Sequence, residues 1–332
     1  MSLPINPYQF TIYHSPLGNA VSSPHLVLRH ASHTRLPMKP FALSLFVFCL
    51  LSLGSIERAA ARQAPPGTDI LLVAMHDGQI VPETLTNLTD RDGYDNQPFF
   101  TPDGQSLLYT SFRDDQTEIY RIDLAAHTHT RLTHTPESEY SPTPLPTGDG
   151  FSVVRVEADG AQRLWRFDND GQAPALVLEE VKPVGYHAWA TPHTLALFVL
   201  GDPPTLQLAD TRTGRADTLA YRIGRSLHRV PGAATVSFVH KETDSTWTIK
   251  TLDPATRALT PIVATLPGRE DYAWMPDGSI IMGDGSKLFL ARPGGSWTEI
   301  ADLANAGVTG ITRLAINDTG TRIAIVGDRE NN

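Results

Sequence analysis

Cysteine is almost absent from this sequence, since one residue, Cys49, is present among 332. A single thiol excludes a disulfide-stabilised scaffold and a zinc site built from cysteines. Positive charge is also scarce, because 27 Lys and Arg residues face 36 Asp and Glu residues and give a formal charge of −9. Proteins that bind nucleic acid normally present a basic surface. The composition therefore argues against a nucleic-acid partner.

Long hydrophobic runs are missing as well. The longest, residues 41–53, has 13 residues, whereas a membrane-spanning helix needs roughly 18–20. The 26 prolines would also interrupt a coiled coil or a helical solenoid repeatedly. With 41% hydrophobic residues, the chain still has enough apolar side chains for a core. The absences favour a compact, acidic, turn-rich globular protein.

The first 61 residues differ in character from the rest. Residues 1–37 contain no Asp or Glu, and Met38 and Lys39 precede the apolar run 41–53, which small residues at 59–61 follow. A basic start, an apolar stretch of about 7–15 residues and an Ala-x-Ala site are typical of a secretory signal peptide. An uncleaved anchor and a buried helix are the alternatives. We predict a signal peptide over 38–61, cleaved near Ala61, and a periplasmic or secreted protein.

Signal peptides normally begin at the N-terminus of the translated chain. Residues 1–37 are therefore interpreted as a non-native or disordered extension ahead of a true start at Met38. Residues 62–68 would form a short linker. Removing the leader makes the mature chain more acidic and leaves it without cysteine, because Cys49 lies in the apolar run.

One motif recurs along the rest of the chain. Residues 94–104 align without gaps with residues 140–150, and residues 271–278 are a third copy, with weaker copies at 185–189, 227–232 and 314–320. The equivalent positions are taken as Phe100, Pro146, Trp189, Arg229, Trp274 and Ile316. They stand 46, 43, 40, 45 and 42 residues apart. Six copies at this period are typical of a β-propeller with four strands in each blade.

Segments of strand character follow the copies. Residues 106–111 and 118–123 are rich in apolar and β-branched residues and are bounded by turn residues, as expected for antiparallel strands. One blade would be completed by strands from both ends of the chain. These are 69–75 and 83–89 near the start, and 311–316 and 321–326 near the end. Such closure removes exposed sheet edges. We predict an all-β, six-bladed propeller over 69–332, closed by strands from both termini, with 69–90 completing the last blade.

The repeat resembles that of a known family. The pattern Pro-x-[Phe/Trp]-x-Pro-Asp-Gly, followed by 111–113 (Ser-Phe-Arg), 119–120 (Ile-Tyr) and 132–133 (Leu-Thr), is similar to the TolB-type repeat of the WD40-like (PD40) propellers. The resemblance covers about residues 69–328. The sequence departs from the family in two ways. We find no counterpart of TolB's N-terminal α/β domain in it, and it lacks the Gly-His…Trp-Asp signature of true WD40 blades. The resemblance implies a periplasmic or secreted platform that contacts proteins.

Residues just before each innermost strand are expected to edge the central channel. A tyrosine recurs there, joined to acidic residues or histidine. The predicted ligand-binding residues are Tyr94, Asp95, Glu139, Tyr140, Tyr186, His187, Asp271 and Tyr272. Aromatic and acidic groups at a concave mouth suit a ligand or peptide with apolar and cationic parts. Hydrogen bonding between blades by the tyrosine hydroxyls is the structural alternative.

Signatures of catalysis are missing. Residues 224–228 lack the closing glycine of a nucleophile elbow, so we predict no catalytic residue and no cofactor. Calcium is left open at 90–96, although its glycine is fourth rather than sixth in the segment. The alternative function is a metal-dependent hydrolase of the lactonase or esterase type, with Asp95, Glu139 and Asp271 on a divalent ion.

The functional expectation is therefore a binding platform of the cell envelope. We predict that the protein binds a protein or peptide partner, or a small ligand, without catalysing a reaction. It would be monomeric, because a closed ring has no need of further subunits. Contact with the membrane would be limited to the signal peptide.

Overall fold

A computed structural model of the protein describes residues 65–329. These residues form six four-stranded antiparallel sheets, the blades of a β-propeller, so the fold predicted from the repeats is confirmed. The predicted extension 1–37, the signal peptide 38–61 and the first part of the linker lie outside the described residues. In the part that is described, no helix is long and apolar enough to cross a membrane.

The chain enters the propeller through the outer half of one blade. Its first strands are β1 (Asp69–His76) and β2 (Gln79–Asn87). Blade 1 consists of β3 (Asp95–Phe100), β4 (Ser106–Arg113), β5 (Gln116–Asp123) and β6 (Thr128–Arg131). Blade 2 consists of β7 (Ser138–Pro144), β8 (Gly150–Val156), β9 (Gln162–Asp168) and β10 (Ala175–Leu176). Blade 3 consists of β11 (Val184–Trp189), β12 (Thr194–Val199), β13 (Thr205–Asp210) and β14 (Arg215–Tyr221).

The second half of the ring repeats this order. Blade 4 consists of β15 (Ile223–Arg229), β16 (Val236–Lys241), β17 (Trp247–Leu252) and β18 (Leu259–Ala264). Blade 5 consists of β19 (Tyr272–Trp274), β20 (Ile280–Asp284), β21 (Lys287–Ala291) and β22 (Thr298–Asp302). A short 3-10 helix (Ala304–Ala306) then leads to β23 (Val308–Ile316) and β24 (Arg322–Arg329).

Blade 6 joins the two ends of the chain. Its strand order is β23, β24, β1, β2, and the register of the closing pair places Ile70 opposite Val326 and Val73 opposite Ile323. All four side chains are almost completely buried. The predicted closure by two strands from each end is therefore confirmed, and it pairs β24 with β1 along an apolar interface.

The register of blade 2 corrects one sequence equivalence. Phe100 lies opposite Leu107, and the corresponding pair in blade 2 is Pro144 and Phe151, so the anchor is Pro144 and not Pro146. The sequence offers two glycines at this turn. The N–H of Gly148, which has a φ of 77°, donates to the carbonyl three residues earlier, as that of Gly104 does in blade 1. The alignment without gaps had matched Gly104 with Gly150.

Candidate functional site

The innermost strands of all six blades surround a small central cavity of about 80 Å3. One lining residue per blade stands three positions before the anchor residue of its repeat. These six residues, which we call the channel ring, are Gln97, Ser141, Tyr186, Ser226, Asp271 and Arg313. A propeller therefore brings together side chains that are up to 216 positions apart (from 97 to 313). The ring combines amide, hydroxyl, phenol, carboxylate and guanidinium groups.

A carboxylate between two guanidinium groups is the charged centre of the cavity. Arg225 donates from Nη2 to Oδ2 of Asp271 at 2.6 Å, and Nη1 of Arg313 lies 3.5 Å from Oδ1. Burial alone would raise the pKa of Asp271, but Arg225 and Arg313 hold it below its usual value. Asp271 is therefore ionised at neutral pH and keeps both arginines in place.

Further contacts fix the two arginines. Arg313 donates from Nη2 to the Tyr186 hydroxyl at 2.9 Å, and its guanidinium carbon lies 4.9 Å from the centre of that ring, within the range of a cation–π contact. Behind Arg225, Glu270 accepts the Arg225 backbone N–H at 3.2 Å and pairs with Lys241 at 2.9 Å. The cluster holds three cations and two anions.

Tyr272 has a structural partner in the preceding blade. Its hydroxyl donates to Ser237 Oγ at 2.7 Å, and Trp274 Nε1 donates to the same oxygen at 2.7 Å. Ser237 in turn donates to the backbone carbonyl of His228 at 3.2 Å. Burial raises the pKa of Tyr272 well above its usual value. The interblade hydrogen bond considered for the tyrosines is realised here.

The same device recurs between blades 2 and 3. Trp189 Nε1 donates to Ser152 Oγ at 2.9 Å, His187 Nε2 lies 2.6 Å from that oxygen, and Ser152 Oγ lies 3.2 Å from the Thr143 carbonyl. His187 thus replaces Tyr272 in the repeat. Burial lowers the pKa of His187 to about 3, so the imidazole is neutral at physiological pH.

Asp95 and Glu139 are buried beside arginines, away from the cavity lining. Asp95 Oδ2 lies 3.0 Å from Arg91 Nε, and burial raises the pKa of this carboxyl despite the arginine. Glu139 Oε1 accepts from Arg155 Nε at 2.9 Å and from Thr135 Oγ1 at 2.6 Å. Burial raises the pKa of Glu139 to about 8. Glu139 and Arg155 lie opposite each other on paired strands of blade 2.

The predicted tyrosines do not share one repeat position. Tyr186 belongs to the channel ring, whereas Tyr272 lies one residue after its ring position and Tyr140 one residue before. Tyr94 is buried directly before β3, and its pKa is raised well above the usual value, first by burial and then by Tyr186. Tyr140 is half-buried and packs against the apolar cluster between blades 2 and 3.

Half of the predicted residues line the cavity. They are Tyr186, His187, Asp271 and Tyr272, whereas Tyr94, Asp95, Glu139 and Tyr140 are not in its lining. Sequence reasoning missed Arg225, Arg313 and the polar ring members Gln97 and Ser141. The fixed offset of three residues before each anchor is the signal that would have found Arg313. Ligand binding by the eight predicted residues stays a prediction.

The segment at which calcium was left open, residues 90–96, already contains a cation. Arg91 lies within residues 90–96 and donates from Nη2 to Asp95 Oδ1 at 3.2 Å, to Ser111 Oγ at 3.0 Å and to the Phe112 carbonyl at 2.9 Å. Across residues 65–329, no group of three or more His, Cys, Asp or Glu side chains could hold a metal ion. Asp95, Glu139 and Asp271 pair with different arginines instead.

Comparisons with known proteins concern the fold. No protein-family model matches the chain. An uncharacterized protein of Agrobacterium fabrum is 31% identical over 74 residues, which is 22% of this chain and 25% of that protein. The chain thus spans about a quarter of the length of the curated relative that it matches.

Solved structures extend the likeness to most of the described propeller. A protein assigned as TolB from Agrobacterium tumefaciens superposes with a TM-score of 0.63 at 15% identity, covering 79% of this chain and 98% of that one. TolB from Acinetobacter baumannii gives 0.52 at 14% identity, with 80% and 65% covered. An oligogalacturonate lyase in complex with manganese gives 0.50 at 16% identity, with 75% and 81% covered. At these identities the likeness is one of fold, and the chain has the propeller fold of TolB-like proteins, as its repeats predicted.

Proposed function

We propose that the protein is a non-catalytic binding platform whose channel mouth receives a segment of a protein or peptide partner. The observation that carries the proposal is the cavity that all six blades line. Charged and polar side chains of the channel ring converge on it from different blades.

The rim of the cavity adds apolar surface. Phe99 lines the opening and is 41% exposed, which is unusual for a large apolar side chain in this propeller. Pro98 and Pro142 lie in the same lining. Aromatic residues are enriched at protein interfaces, because they contribute much contact area. An exposed aromatic side chain beside a polar centre supports the binding of a partner.

The platform is proposed to act outside the cytoplasm. The predicted signal peptide, residues 38–61, carries this part of the proposal, together with a propeller fold shared with TolB proteins. The periplasm or the extracellular medium is the expected compartment. The alternative of a metal-dependent hydrolase has no support from the site, since its three carboxylates each pair with an arginine.

Site-specific crosslinking tests the platform. A photo-reactive amino acid at position 99, on the cavity rim, is compared in intact cells with one at position 221, where Tyr221 is 61% exposed but outside the lining. We expect one defined partner to crosslink from position 99 and not from position 221. Equal crosslinking from both positions, or none from position 99, contradicts the proposal.

A further inference from the structure

The cavity wall carries a net positive charge. Two guanidinium groups, of Arg225 and Arg313, and one carboxylate, of Asp271, belong to its lining. The two histidines in the same wall add no charge at neutral pH, because burial lowers the pKa of His187 to about 3 and that of His228 to about 4. The wall therefore favours an anionic group over the cationic one that the sequence suggested.

Arg313 has hydrogen-bonding capacity to spare. A guanidinium carries five N–H donors, and among the described residues Arg313 donates to the Tyr186 hydroxyl and approaches Asp271 at 3.5 Å. At most two donors are used by these contacts. The side chain is 14% exposed, so the remaining donors lie in the cavity wall with limited access to water. Asp271 can release Arg313 without losing its charge partner, since Arg225 binds the same carboxylate more closely.

Two buried polar atoms of the lining have no hydrogen-bond partner among the described residues. They are Ser141 Oγ and His187 Nδ1. Buried polar atoms are usually hydrogen-bonded, and an exception needs an explanation. His187 is only 5% exposed. A bound ligand that meets both atoms would supply that explanation.

The repeated serine device assigns the proton of His187. In blade 4, Ser237 accepts two hydrogen bonds and donates its own proton to a backbone carbonyl. Ser152 stands in the same place with the equivalent carbonyl at the same distance of 3.2 Å, so His187 Nε2 carries the proton and donates to Ser152, as the Tyr272 hydroxyl does to Ser237. Nδ1 is then an acceptor. The lining offers donors at Arg313 and Ser141 and an acceptor at His187.

We propose that the channel mouth binds the C-terminal end of a peptide, with the α-carboxylate on Arg313 and Ser141 and the last amide N–H on His187 Nδ1. Guanidinium–carboxylate contacts are charge-assisted and strong. The apolar lining residues Leu227, Leu314 and Phe99 suit an apolar terminal side chain. At a C-terminus the peptide continues from the carboxylate in one direction, so a single segment has to enter the opening. At an internal Asp or Glu the peptide continues in both directions, so two segments would have to fit. This inference rests on the proposed function and names the group that the platform recognises.

Synthetic peptides test the inference with the full-length protein. The probes are acetyl-Ala-Ala-Phe with a free carboxylate, the same peptide as its amide, and acetyl-Ala-Glu-Phe amide, with affinities measured by titration calorimetry or NMR. We expect the free acid to bind at least about tenfold more tightly than either amide, since a charge-assisted contact is lost. Equal affinity of acid and amide, or no binding of the acid, overturns the inference. Tight binding of the Glu peptide overturns recognition of the chain end.

Variants locate the carboxylate. Arg313→Gln should abolish the preference for the peptide with a free carboxylate. Ser141→Ala should lower the affinity for that peptide by about two- to tenfold. It should not unfold the protein, because Ser141 Oγ has no hydrogen-bond partner to lose among the described residues. Arg222→Gln is the control, since Arg222 pairs with an exposed Asp244 on the surface. Unchanged preference in both channel variants, with circular dichroism showing the folded state, overturns the assignment.

The two proposals fail in different ways. One outcome is crosslinking from position 99 to a partner whose C-terminus lies elsewhere, together with equal affinity for the acid and the amide. It would support the binding platform and refute the carboxylate site. A clear preference for the acid, without any partner crosslinked at position 99, would support the carboxylate site and refute the binding of a protein partner.

Discussion

Buried carboxylates near the channel each pair with an arginine. Asp95 pairs with Arg91, Glu139 with Arg155 and Asp271 with Arg225. Removing two charges from water costs several kcal/mol per ion, and the pair recovers this only with good geometry and further hydrogen bonds. These pairs therefore fix local geometry more than they add net stability, and among the three only Asp271 with Arg225 joins two blades. Aromatic and acidic neighbours in the sequence pointed to ligand groups, but only Asp271 occupies a position of the channel ring, whereas Asp95 and Glu139 each stand two positions before one.

Glu139 makes stability depend on pH. Its side chain is fully buried, burial raises its pKa from 4.5 to about 8, and Oε2 has no hydrogen-bond partner among the described residues. The folded protein thus keeps a proton that the unfolded chain has lost, so this group's contribution to stability falls as pH rises from 4.5 to about 8. Glu139→Gln removes the titrating group, so we expect the free energy of unfolding of this variant, relative to that of the wild type, to rise by at least about 1 kcal/mol from the lower to the upper end of this window.

The difference in free energy of unfolding between Glu139→Gln and the wild type reports on Glu139 alone, because the histidines titrate in both proteins. His187 acts in the opposite direction, because its lowered pKa makes stability fall as pH drops from 6.5 to about 3. Glu299→Gln is the matched control, since Glu299 forms an exposed pair with Lys287 and such pairs contribute little. A constant difference between Glu139→Gln and the wild type over the whole window would refute the assignment.

At the scale of strands, the contact between blades is built from repeated devices. A serine on the second strand of one blade receives the indole N–H of a tryptophan on the first strand of the next, as Ser152 does from Trp189 and Ser237 from Trp274. The tryptophans were recognised as anchors in the sequence, since they recur at one offset from the turn. Their serine partners lie 37 residues earlier, and no local pattern marks them.

Local features of the sequence predict the blades, whereas contacts between distant residues stay hidden in it. Strand pattern, turn glycines and the period of the anchors are local, and they predicted six blades and their closure. The channel pairs are not local, because Arg313 reaches Tyr186 across 127 positions. The choice between Gly148 and Gly150 at the blade 2 turn depends on a backbone hydrogen bond, and a sequence with two glycines in this turn does not show which of them makes it. The residues of the channel ring can therefore be identified only when the six repeats are aligned by their strand register.

Gly283 tests how closely blades 5 and 6 approach. This residue of β20 faces Ile311 of β23, and a Cβ added to it would lie 2.3 Å from Ile311 Cγ2. Gly283→Ala should therefore destabilise the protein by about 1–3 kcal/mol in urea unfolding, the usual cost of overpacking. Combining it with Ile311→Gly, which removes both Cγ2 and the Cβ that would lie 2.8 Å away, should cost at least about 1 kcal/mol less than the sum of the single changes.

A second glycine supplies the control for that cycle. Gly201→Ala places its Cβ no closer than 3.4 Å to a neighbouring atom, the Pro203 carbonyl oxygen. Its effect should stay within about 1 kcal/mol. Additive free energies in the Gly283 and Ile311 double variant would show that the interface relaxes without a clash, contrary to the prediction.

For the molecule as a whole, the ring depends on strands from both ends of the chain. Five blades are continuous in sequence, and blade 6 pairs β24 with β1 over six residue positions, from Asp69 with Gly327 to Ala74 with Arg322. Ile323 and Ile325 of β24 are fully buried. Without β1, this strand would present an open apolar edge, and such edges pair with other chains.

Deletion of the first strands tests this closure. Removing residues 1–89 eliminates β1 and β2, and we expect the product to form soluble oligomers or aggregates in size-exclusion chromatography with light scattering. Removing only residues 1–64 leaves every strand of blade 6 in place, so this variant should elute as a folded monomer. A synthetic peptide of residues 65–89 added during refolding should restore the monomer of the longer deletion, because a peptide can complete a sheet as an added strand. A folded monomer of the longer deletion, with the same unfolding midpoint as the shorter one, would show that the ring closes without β1 and β2.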